Sequence, residues 1–257
     1  MNNYDKNSIK TLSPRESIRE SIGMYIGGSD SNGRHQLFTE AIANSIDEAV
    51  AGYGKVITVD INTSSNQLSI QDCGRGVPFG INKEGKDAIV EATCNLHGGG
   101  KFVGQEGYKS SLGLHGLGLK CIHYLSSKFH IRSCRDKEGV CDLSFDENDK
   151  QSGPTVVKRA STSGTLVEFI PDQRIFGPLK WNKDVIADRR QTYALLNNNI
   201  TFVLTVNGTK YKSFVYTDGI KDLLAIKVGN RKCITDATFH KCDVVDDDGA
   251  HAHFEFG

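Results

Sequence analysis

The segment from Glu40 to Glu48 constrains the fold most, because a helix through it would have two chemically opposed faces. On a helical wheel, one narrow arc carries an amide and the acids, namely Glu40, Asn44, Asp47 and Glu48. The opposite side carries Phe38, Ile42, Ile46 and Ala49. No lysine or arginine balances the acids within the segment. The sequence predicts a helix that packs its apolar side on a core and turns its acidic side to water or to a positive group such as a metal ion.

Length and charge exclude several classes of protein. The 257 residues are enough for one large or two small domains with a real core. Basic and acidic residues balance at 31 each, so no overall field directs the chain to nucleic acid or to a membrane. No apolar run is long enough to span a bilayer, and the first residues do not resemble a secretory signal. Seven scattered cysteines argue against a disulfide framework and favour a reducing cytoplasm.

Periodicity and turn residues divide the chain into short elements of both kinds. Ser13-Pro14 and Glu16 predict a capped helix that runs to about Ile22, and the segment 23–33 reads as a turn-rich connection. The other predicted helices are the acidic one, ending near Gly52 or Gly54, and 86–96, 119–125, 181–196 and 219–226. The predicted strands are 56–61, 67–72, 129–135, 140–146, 155–159, 165–170, 201–206 and 211–216. The short apolar pair 175–176 is expected in a loop.

The final segment, 250–256, alternates like a strand but has no evident neighbour in the sequence. A strand needs a partner, so the simplest interpretation is that the chain is the N-terminal part of a longer protein.

Glycines crowd between residues 74 and 118, which indicates loops around a ligand. Asp72 ends a predicted strand and is followed at once by Gly74, Arg75 and Gly76. Glycine lets the backbone approach a flat ligand, and a carboxylate can accept a hydrogen bond from an exocyclic amine such as that of adenine. An ordinary Asp-Gly turn is the alternative at this position.

Two further stretches have the composition of an anion cradle. They are HGGGKF at 97–102 and LGLHGLGLK at 112–120, in which backbone N–H groups and Lys101 and Lys120 could face phosphate. Neither stretch is a Walker A loop, because Leu119 stands where the lysine belongs, and neither is a Rossmann fingerprint. A phosphate site here would therefore belong to another nucleotide-binding fold.

Taken in order, these motifs resemble the ATPase superfamily that unites gyrase, heat-shock chaperones, histidine kinases and mismatch-repair ATPases. Five segments are similar to the B subunit of bacterial DNA gyrase or topoisomerase IV. They are GMYIG at 23–27, NSIDEAVAG at 44–52, QDCGRGVP at 71–78, HGGGKF at 97–102 and LHGLG at 114–118. The resemblance covers nearly the whole chain and leaves the choice between gyrase and topoisomerase IV open.

The resemblance implies an α+β fold: a two-layer sandwich with a mixed, mainly antiparallel sheet of about eight strands and helices on one face holding ATP. It divides the chain into an N-terminal dimerisation arm (1–14), an ATP-binding domain (15–220), and a final helix with the start of a truncated transducer domain (221–257). Because the transducer would donate a lysine to the terminal phosphate, the fragment is expected to bind ATP well and hydrolyse it poorly.

The resemblance also implies roles for individual residues. Glu40 corresponds to the general base that activates water, and Asn44 to the ligand of Mg²⁺. Asp72 corresponds to the adenine acceptor, helped by Thr165 through water, and Glu48 is expected to pair with Arg75. The expected ATP-binding residues are Tyr4, Asn44, Glu48, Asp72, Arg75, Gly76, Pro78, Lys101, Leu112, Gly113, Leu114, His115, Gly116, Leu117, Gly118 and Thr165.

The sequence departs from the family pattern at a few positions. Ser21-Ile22 replaces an arginine-proline pair, Ala43 replaces a common acid, Cys73 replaces the second acid of the adenine motif, and Leu112 replaces the first lid glycine. These changes are expected to affect rates more than function.

The implied function is the ATP-operated gate of a type II DNA topoisomerase in the cytoplasm. ATP binding would join two copies, with the Tyr4 arms crossing over, and capture double-stranded DNA for passage through a break made with the A subunit. Aminocoumarin-type inhibitors would bind near Arg135. The alternative is an ATP-gated clamp of the mismatch-repair or chaperone type with little turnover. A zinc site at Cys233, His240, Cys242, His251 and His253 is not favoured, because their spacing matches no common pattern.

Overall fold

The computed structural model describes residues 12–96, 116–158, 162–229, 240–245 and 251–256. The helices are α1 (Pro14–Glu20), α2 (Ile22–Ile26), α3 (Ser31–Val50), α4 (Ala88–Cys94), α5 (Gly118–Tyr124), α6 (Gln173–Phe176), α7 (Lys183–Leu196) and α8 (Ile220–Val228). The strands are β1 (Val56–Asn62), β2 (Gln67–Asp72), β3 (Ser126–Arg135), β4 (Gly139–Phe145), β5 (Gln151–Val157), β6 (Gly164–Pro171), β7 (Thr201–Val206), β8 (Thr209–Phe214), β9 (His240–Val245) and β10 (His251–Phe256). Within these ranges, every helix is too short or too polar to cross a membrane.

Eight strands form the main sheet in the order β5-β4-β3-β6-β2-β1-β7-β8. Each neighbouring pair is antiparallel except β1 and β7, which run parallel with Val59 opposite Leu204. The tight turn at Asn207-Gly208, with φ of 52° and 74°, joins β7 to β8 as the sequence predicts. The predicted α+β sandwich with a mixed, mainly antiparallel sheet is confirmed.

The core lies between one face of this sheet and the helices. Alternate strand residues are buried, as in β4, where Cys141, Leu143 and Phe145 point inward. Helices α3, α5 and α7 pack against these strands. The apolar stripe of α3 behaves as predicted, since Phe38, Ile42, Ile46 and Ala49 are all buried. The opposite face of α3 is thereby held at a fixed position over the ends of the central strands.

Local capping accounts for several helix boundaries. The predicted capping box of α1 is present: Ser13 Oγ accepts from the Glu16 backbone N–H, and a Glu16 carboxylate oxygen accepts from the Ser13 backbone N–H. Asp30 caps α3 by accepting from the N–H of Gly33. Helix α3 ends at Val50, close to the predicted glycines, and Gly52 has a φ of 92°.

Two predicted loops are helical, so those predictions are wrong. The segment from Ile22 to Ile26 forms α2 and occupies the start of the predicted connection, with Ile26 buried and Gly27 ending the helix at a φ of 82°. Residues 173–176 form the short α6, capped by Asp172, which accepts from the N–H of Arg174. In the first case the glycine ends a helical turn, and in the second the capping residue begins one, where each had indicated a loop. Burial of an apolar side chain stabilises both helices.

Two strand predictions also change. The predicted strand 155–159 begins earlier, at Gln151, and includes Pro154; an edge strand tolerates proline because one side of it has no neighbour in the sheet. The final alternating segment has a partner after all, because β10 pairs antiparallel with β9, with Phe254 opposite Cys242. The premise that this strand lacks a neighbour within the chain is therefore wrong.

Helix α7 carries two adjacent arginines with opposite surroundings. Arg190 is fully buried, and its Nε, Nη1 and Nη2 atoms have no hydrogen-bond partner among the described residues. Burial alone lowers the pKa of Arg190 to about 9. Arg189, by contrast, donates from Nη1 to Thr39 Oγ1 at 2.8 Å and to the carbonyl of His35 at 3.4 Å. The two side chains should therefore contribute to stability with opposite signs.

Arg190→Met should raise the free energy of unfolding by about 1–3 kcal/mol, because it removes a buried, unpaired charge while keeping the apolar stem. Arg189→Met is the matched control and should lower it by about 0.5–1.5 kcal/mol, because two acceptors on α3 lose their donor. Urea unfolding at pH 7 measures both. A less stable Arg190→Met protein would contradict the assignment of Arg190 as a destabilising burial.

On the outward face of the sheet, His130 of β3 lies between two acids. Its Nδ1 is 3.0 Å from Glu168 Oε2 on β6, and its Nε2 is 2.8 Å from Asp142 Oδ1 on β4. Hydrogen bonding to Glu168 is the main cause that raises the pKa of His130, with Asp142 adding to it and partial burial opposing. Arg132 also donates to Asp142 at 2.8 Å. Protonated His130 therefore ties three neighbouring strands together.

This network makes part of the stability depend on pH. Because the folded-state pKa of His130 is raised, its contribution is fully present below the unfolded-state pKa and is lost as pH rises through the folded value. The difference in unfolding free energy between the unmodified protein and His130→Gln should thus shrink between pH 5.5 and pH 8.5, by about 0.5–1 kcal/mol for a partly exposed group. Urea titrations at the two pH values test this. A difference that does not change with pH would rule out a protonated bridge.

Candidate functional site

Asp72, the last residue of β2, is the centre of the candidate site. Its side chain is buried, with 6% exposed, and it accepts three hydrogen bonds. Oδ1 accepts from the backbone N–H groups of Gly74 at 2.9 Å and Thr165 at 3.0 Å, and Oδ2 accepts from Ser45 Oγ at 2.9 Å. The donors come from three separate parts of the chain: the turn after β2, the start of β6, and α3. The fold therefore brings distant segments together around one carboxylate.

The hydrogen bonds of Asp72 leave room for one more donor. An ionised carboxylate offers about four lone-pair sites, and the described partners occupy two on Oδ1 and one on Oδ2. Burial is the main cause that raises the pKa of Asp72; the nearby charge of Glu48 adds to it, and the three hydrogen bonds oppose it. Such a group gains from a further N–H donor, because the bond compensates for lost hydration. The remaining site on Oδ2 suits an amine of a bound ligand.

Arg75, three residues after Asp72, pairs with Glu48, as the family resemblance implies. Its Nε and Nη2 donate to the two carboxylate oxygens of Glu48 at 3.0 and 2.9 Å, and its backbone N–H donates to Glu48 as well. The guanidinium lies over the ring of Tyr53, with Cζ 4.1 Å from the ring centroid. The last turn of α3 thus fixes the position of a flat cation at the edge of the site.

The glycines after Asp72 allow close approaches of backbone and side chain. A Cβ atom on Gly74 would lie 2.8 Å from Cβ of Glu48, and one on Gly76, where φ is 80°, would lie 2.5 Å from the carbonyl oxygen of Cys134. Ser133 Oγ donates to the carbonyl of Val77 at 2.6 Å, and Arg135 Nη1 donates to the carbonyl of Gly76 at 2.8 Å. The turn is therefore packed between α3 and the end of β3, which requires glycine at these positions.

Glu40 and Asn44 lie one helical turn apart on the polar face of α3, and both are half-buried. Glu40 Oε1 accepts from Gln36 Nε2 at 2.9 Å, and Asn44 Nδ2 donates to the carbonyl of Glu40 at 3.2 Å. The first residue of α5 lies against them, because a Cβ on Gly118 would be 2.8 Å from Glu40 Oε2. Asn44 makes this bond through its amide nitrogen. Its amide oxygen is of the ligand type that Mg²⁺ prefers.

The structure brings some of the predicted site residues together and does not describe others. Glu40, Asn44, Glu48, Asp72, Arg75, Gly76 and Thr165 cluster around α3, the end of β2 and the start of β6, and Gly118 joins them through Glu40. Gly116 and Leu117 immediately precede α5, and Pro78 is exposed. The predicted residues outside the described parts of the chain are Tyr4, Lys101, Leu112, Gly113, Leu114 and His115.

Sequence reasoning missed three contributors to this site. Ser45 donates a hydrogen bond to Asp72, Tyr53 stacks against Arg75, and Ser133 donates a hydrogen bond to the carbonyl of Val77. Ser45 lies between the polar and apolar arcs of α3, and Ser133 is an inward-facing residue of β3 that is fully buried. A hydroxyl at an inward strand position was the one available signal, because a buried hydroxyl requires a partner.

Comparisons with known proteins identify the family of this chain. Residues 29–174 match the family model described as histidine kinase-, DNA gyrase B-, and HSP90-like ATPase. The chain is 38% identical over 244 residues to the B subunit of DNA topoisomerase 4 from Staphylococcus aureus, and 36% identical over 235 residues to the Mycoplasma capricolum protein of the same name. These matches cover 93% and 91% of the chain, which spans about a third of the relatives' length, 36% in each case.

A solved structure is similar over the same range. The 43K ATPase domain of Thermus thermophilus gyrase B, in complex with an aminocoumarin, superposes with a TM-score of 0.76 at 26% identity. The match covers 91% of this chain and 60% of that one.

The packed turn after Asp72 predicts different effects for two glycines of similar backbone conformation. Gly76→Ala should lower the unfolding free energy by about 2–4 kcal/mol, since it combines a left-handed backbone with a collision against the carbonyl of Cys134. Gly80→Ala is the control: its φ is 90° but no described atom lies within 4 Å of a Cβ, so it should cost about 1–2 kcal/mol. Thermal or urea unfolding measures the two. Equal losses would show that the turn is not tightly packed on β3.

Proposed function

Because this chain belongs to the histidine kinase-, DNA gyrase B- and HSP90-like ATPase family, we propose that it is the ATP-operated gate segment of a type II DNA topoisomerase. The relatives of comparable sequence are B subunits of topoisomerase IV, and the solved neighbour is an ATPase domain of gyrase B. The alternative, an ATP clamp of the mismatch-repair or chaperone type, is not favoured by these matches. The whole enzyme would couple ATP binding here to passage of one DNA duplex through another.

The single observation that carries the nucleotide-binding proposal is the acceptor on Asp72. A buried carboxylate with three filled hydrogen-bond sites and one remaining site on Oδ2 is suited to the exocyclic amine of adenine. Guanine presents a carbonyl oxygen at the corresponding ring position, and two acceptors would repel each other there. Thr165 positions Asp72 through its backbone N–H, while Arg75 and Pro78 would border the base.

Glu40 and Asn44 would serve the phosphate end of the site. We assign Glu40 as the general base that orients and deprotonates the attacking water, because it is half-buried on α3 and is itself oriented by Gln36. Asn44 would hold Mg²⁺ through its amide oxygen, with phosphate oxygens and waters completing the shell. The metal would neutralise charge that develops on the phosphates. Contacts to phosphate from the segment 112–118, and from Lys101 and Tyr4, are part of the same proposal.

The proposal extends to assembly and location. Residues 1–14 would form the dimerisation arm, 15–220 the ATP-binding domain, and 221–257 the connection toward a transducer domain. ATP binding would join two copies, and the A subunit and double-stranded DNA would be the further partners, in the cytoplasm. Aminocoumarin-type inhibitors would compete at the mouth of the pocket, where Arg135 already contacts the carbonyl of Gly76.

Equilibrium binding of a Mg²⁺-bound, non-hydrolysable ATP analogue tests the proposal. The unmodified chain should bind the adenine analogue and discriminate against its guanine counterpart. Asp72→Asn should weaken binding of the adenine analogue about 10- to 100-fold, because it replaces a charged acceptor with a neutral amide. Asp188→Asn, an exposed site on α7, is the matched control and should bind normally.

Glu40→Gln separates binding from chemistry in the same experiment. It should bind the analogue like the unmodified chain and should lose any ATP hydrolysis that the unmodified chain performs. Adenine binding that survives Asp72→Asn would overturn the assignment of the acceptor. No binding of the analogue by the unmodified chain would overturn the proposed function.

A further inference from the structure

Lys120, in the first turn of α5, is a buried cation next to the candidate site. Its side chain is almost fully buried, with 2% of the residue exposed. Its Nζ atom donates to the carbonyl oxygen of Gly116 at 2.5 Å. A lysine is rarely buried without a specific partner, because its ammonium group loses hydration. The bond to Gly116 therefore ties the helix to the residue that leads into it.

The backbone that Lys120 holds lies directly on Glu40. Gly116 has a φ of 60°, a left-handed conformation, and is followed by Leu117 and by Gly118, the first residue of α5. A Cβ on Gly118 would lie 2.8 Å from Glu40 Oε2 and 3.3 Å from Glu40 Cβ. A small displacement of the Gly116–Gly118 turn would therefore change the space around the Glu40 carboxylate.

We propose that Lys120 is a positioning residue of the nucleotide site. Its ammonium group donates a hydrogen bond to the carbonyl of Gly116 and thereby fixes the Gly116–Gly118 turn against Glu40. This inference rests on the proposed function, because it gives the turn a role in holding nucleotide. Lys120 acts through the backbone of the turn. It makes the geometry of the site depend on the charge of one buried amine.

Burial outweighs the described charges around Lys120. Burial is the largest effect and lowers the pKa of Lys120 to about 8, while Glu91 of α4 favours the charged amine; Cys94 and Cys121 would favour it only as thiolates. Glu91 is also engaged by Lys86 at 3.6 Å. Burial raises the pKa of both thiols, to about 12 for Cys121, so neither sulfur is ionised near neutral pH.

The charged side chains on the other elements packed on α5 face groups other than Lys120. From α3, Glu40 faces Cys121 and Gly118. From α1, Arg19 donates to the carbonyl of Tyr124 and to Asp172, which follows β6. Among the described residues of β3, the ionisable side chains nearest this helix in sequence, Lys128 and His130, belong to the outward side of the sheet. Variants of Lys120 itself are therefore the means of distinguishing its deprotonation from that of other groups.

The sign of the pH effect follows from the hydrogen bond. An ammonium group donates a charge-assisted bond, whereas a neutral amine donates a weaker one. Below pH 8 the charged amine of Lys120 fixes the turn, and nucleotide affinity should be highest. Above pH 8 the hydrogen bond to Gly116 weakens, and nucleotide affinity should fall. Titration of the ligand's terminal phosphate is distinguishable from this transition, because it adds negative charge to the ligand as pH rises and affects every variant alike.

Binding of the Mg²⁺-bound, non-hydrolysable ATP analogue, measured at pH 7, 8 and 9 in a constant-ionic-strength buffer, tests the inference. The unmodified chain should lose about tenfold in affinity from pH 7 to pH 9, the difference expected when a hydrogen bond loses its charge assistance. Lys120→Met should bind at pH 7 as weakly as the unmodified chain does at pH 9, with no further decline. Lys128→Met, which removes an exposed lysine from β3, should retain the full pH dependence.

Lys120→Arg provides a second variant that stays charged throughout this range. It should bind with little change from pH 7 to pH 9, and it keeps the inference testable if Lys120→Met unfolds. Circular dichroism at each pH confirms that every variant is folded. A decline that persists in Lys120→Met or Lys120→Arg, or unchanged affinity of the unmodified chain across the range, would overturn the inference while leaving the proposed function intact. Failure of the unmodified chain to bind at pH 7 would instead overturn the proposed function.

Discussion

A buried carboxylate must be held by hydrogen-bond donors to offset its lost hydration, and Asp72 is held by three of them. Ser45, Gly74 and Thr165 supply these bonds from α3, from the turn after β2, and from β6. Their convergence requires α3 to lie over the ends of the central strands, which in turn requires its apolar stripe to be buried on the sheet. The site therefore depends on the same packing that stabilises the domain, and the acceptor position that the described donors leave open is what remains for a ligand.

Close backbone contacts set the shape of the site around that carboxylate. Gly74 lies on Glu48, Gly76 on the carbonyl of Cys134, and Gly118 on Glu40. At each of these glycines, a neighbouring group occupies the space that a side chain would need. A methyl group there would therefore displace part of the polar face of α3 or part of β3. Glycine supplies more than flexibility here: it allows helices and turns to approach a ligand from several sides.

Charged groups in this protein differ in how their burial is compensated. Glu48 and Arg75 neutralise each other and hold a flat cation at the edge of the site. Arg190 is buried without an acceptor among the described residues and is expected to lower stability, whereas Lys120 is buried with one and links a turn to a helix. Burial disfavours the charged form of both side chains. For Lys120, it brings the pKa close to physiological pH. The same desolvation that weakens a core can thus make a site sensitive to pH.

The sequence by itself determined the local features: the cap of α1, the two faces of α3, the turn at Asn207-Gly208 and the order of the glycine-rich motifs. These depend on neighbours within a few residues, so periodicity and turn chemistry are sufficient to predict them. The pairing of Glu48 with Arg75 also followed, through the family pattern. Predictions failed where a single turn of helix replaced a loop, at residues 22–26 and 173–176, because burial of one apolar side chain outweighed the local signal.

Only the tertiary structure decided which distant groups meet. Asp72 is 27 residues from Ser45 and 93 from Thr165, and no local pattern specifies either contact. The parallel pairing of β1 with β7 and the stacking of Tyr53 on Arg75 are of the same kind. Each depends on how whole elements pack, since burial and register are properties of the assembled layers. A sequence pattern reports which side of an element avoids water, and packing determines what that side meets.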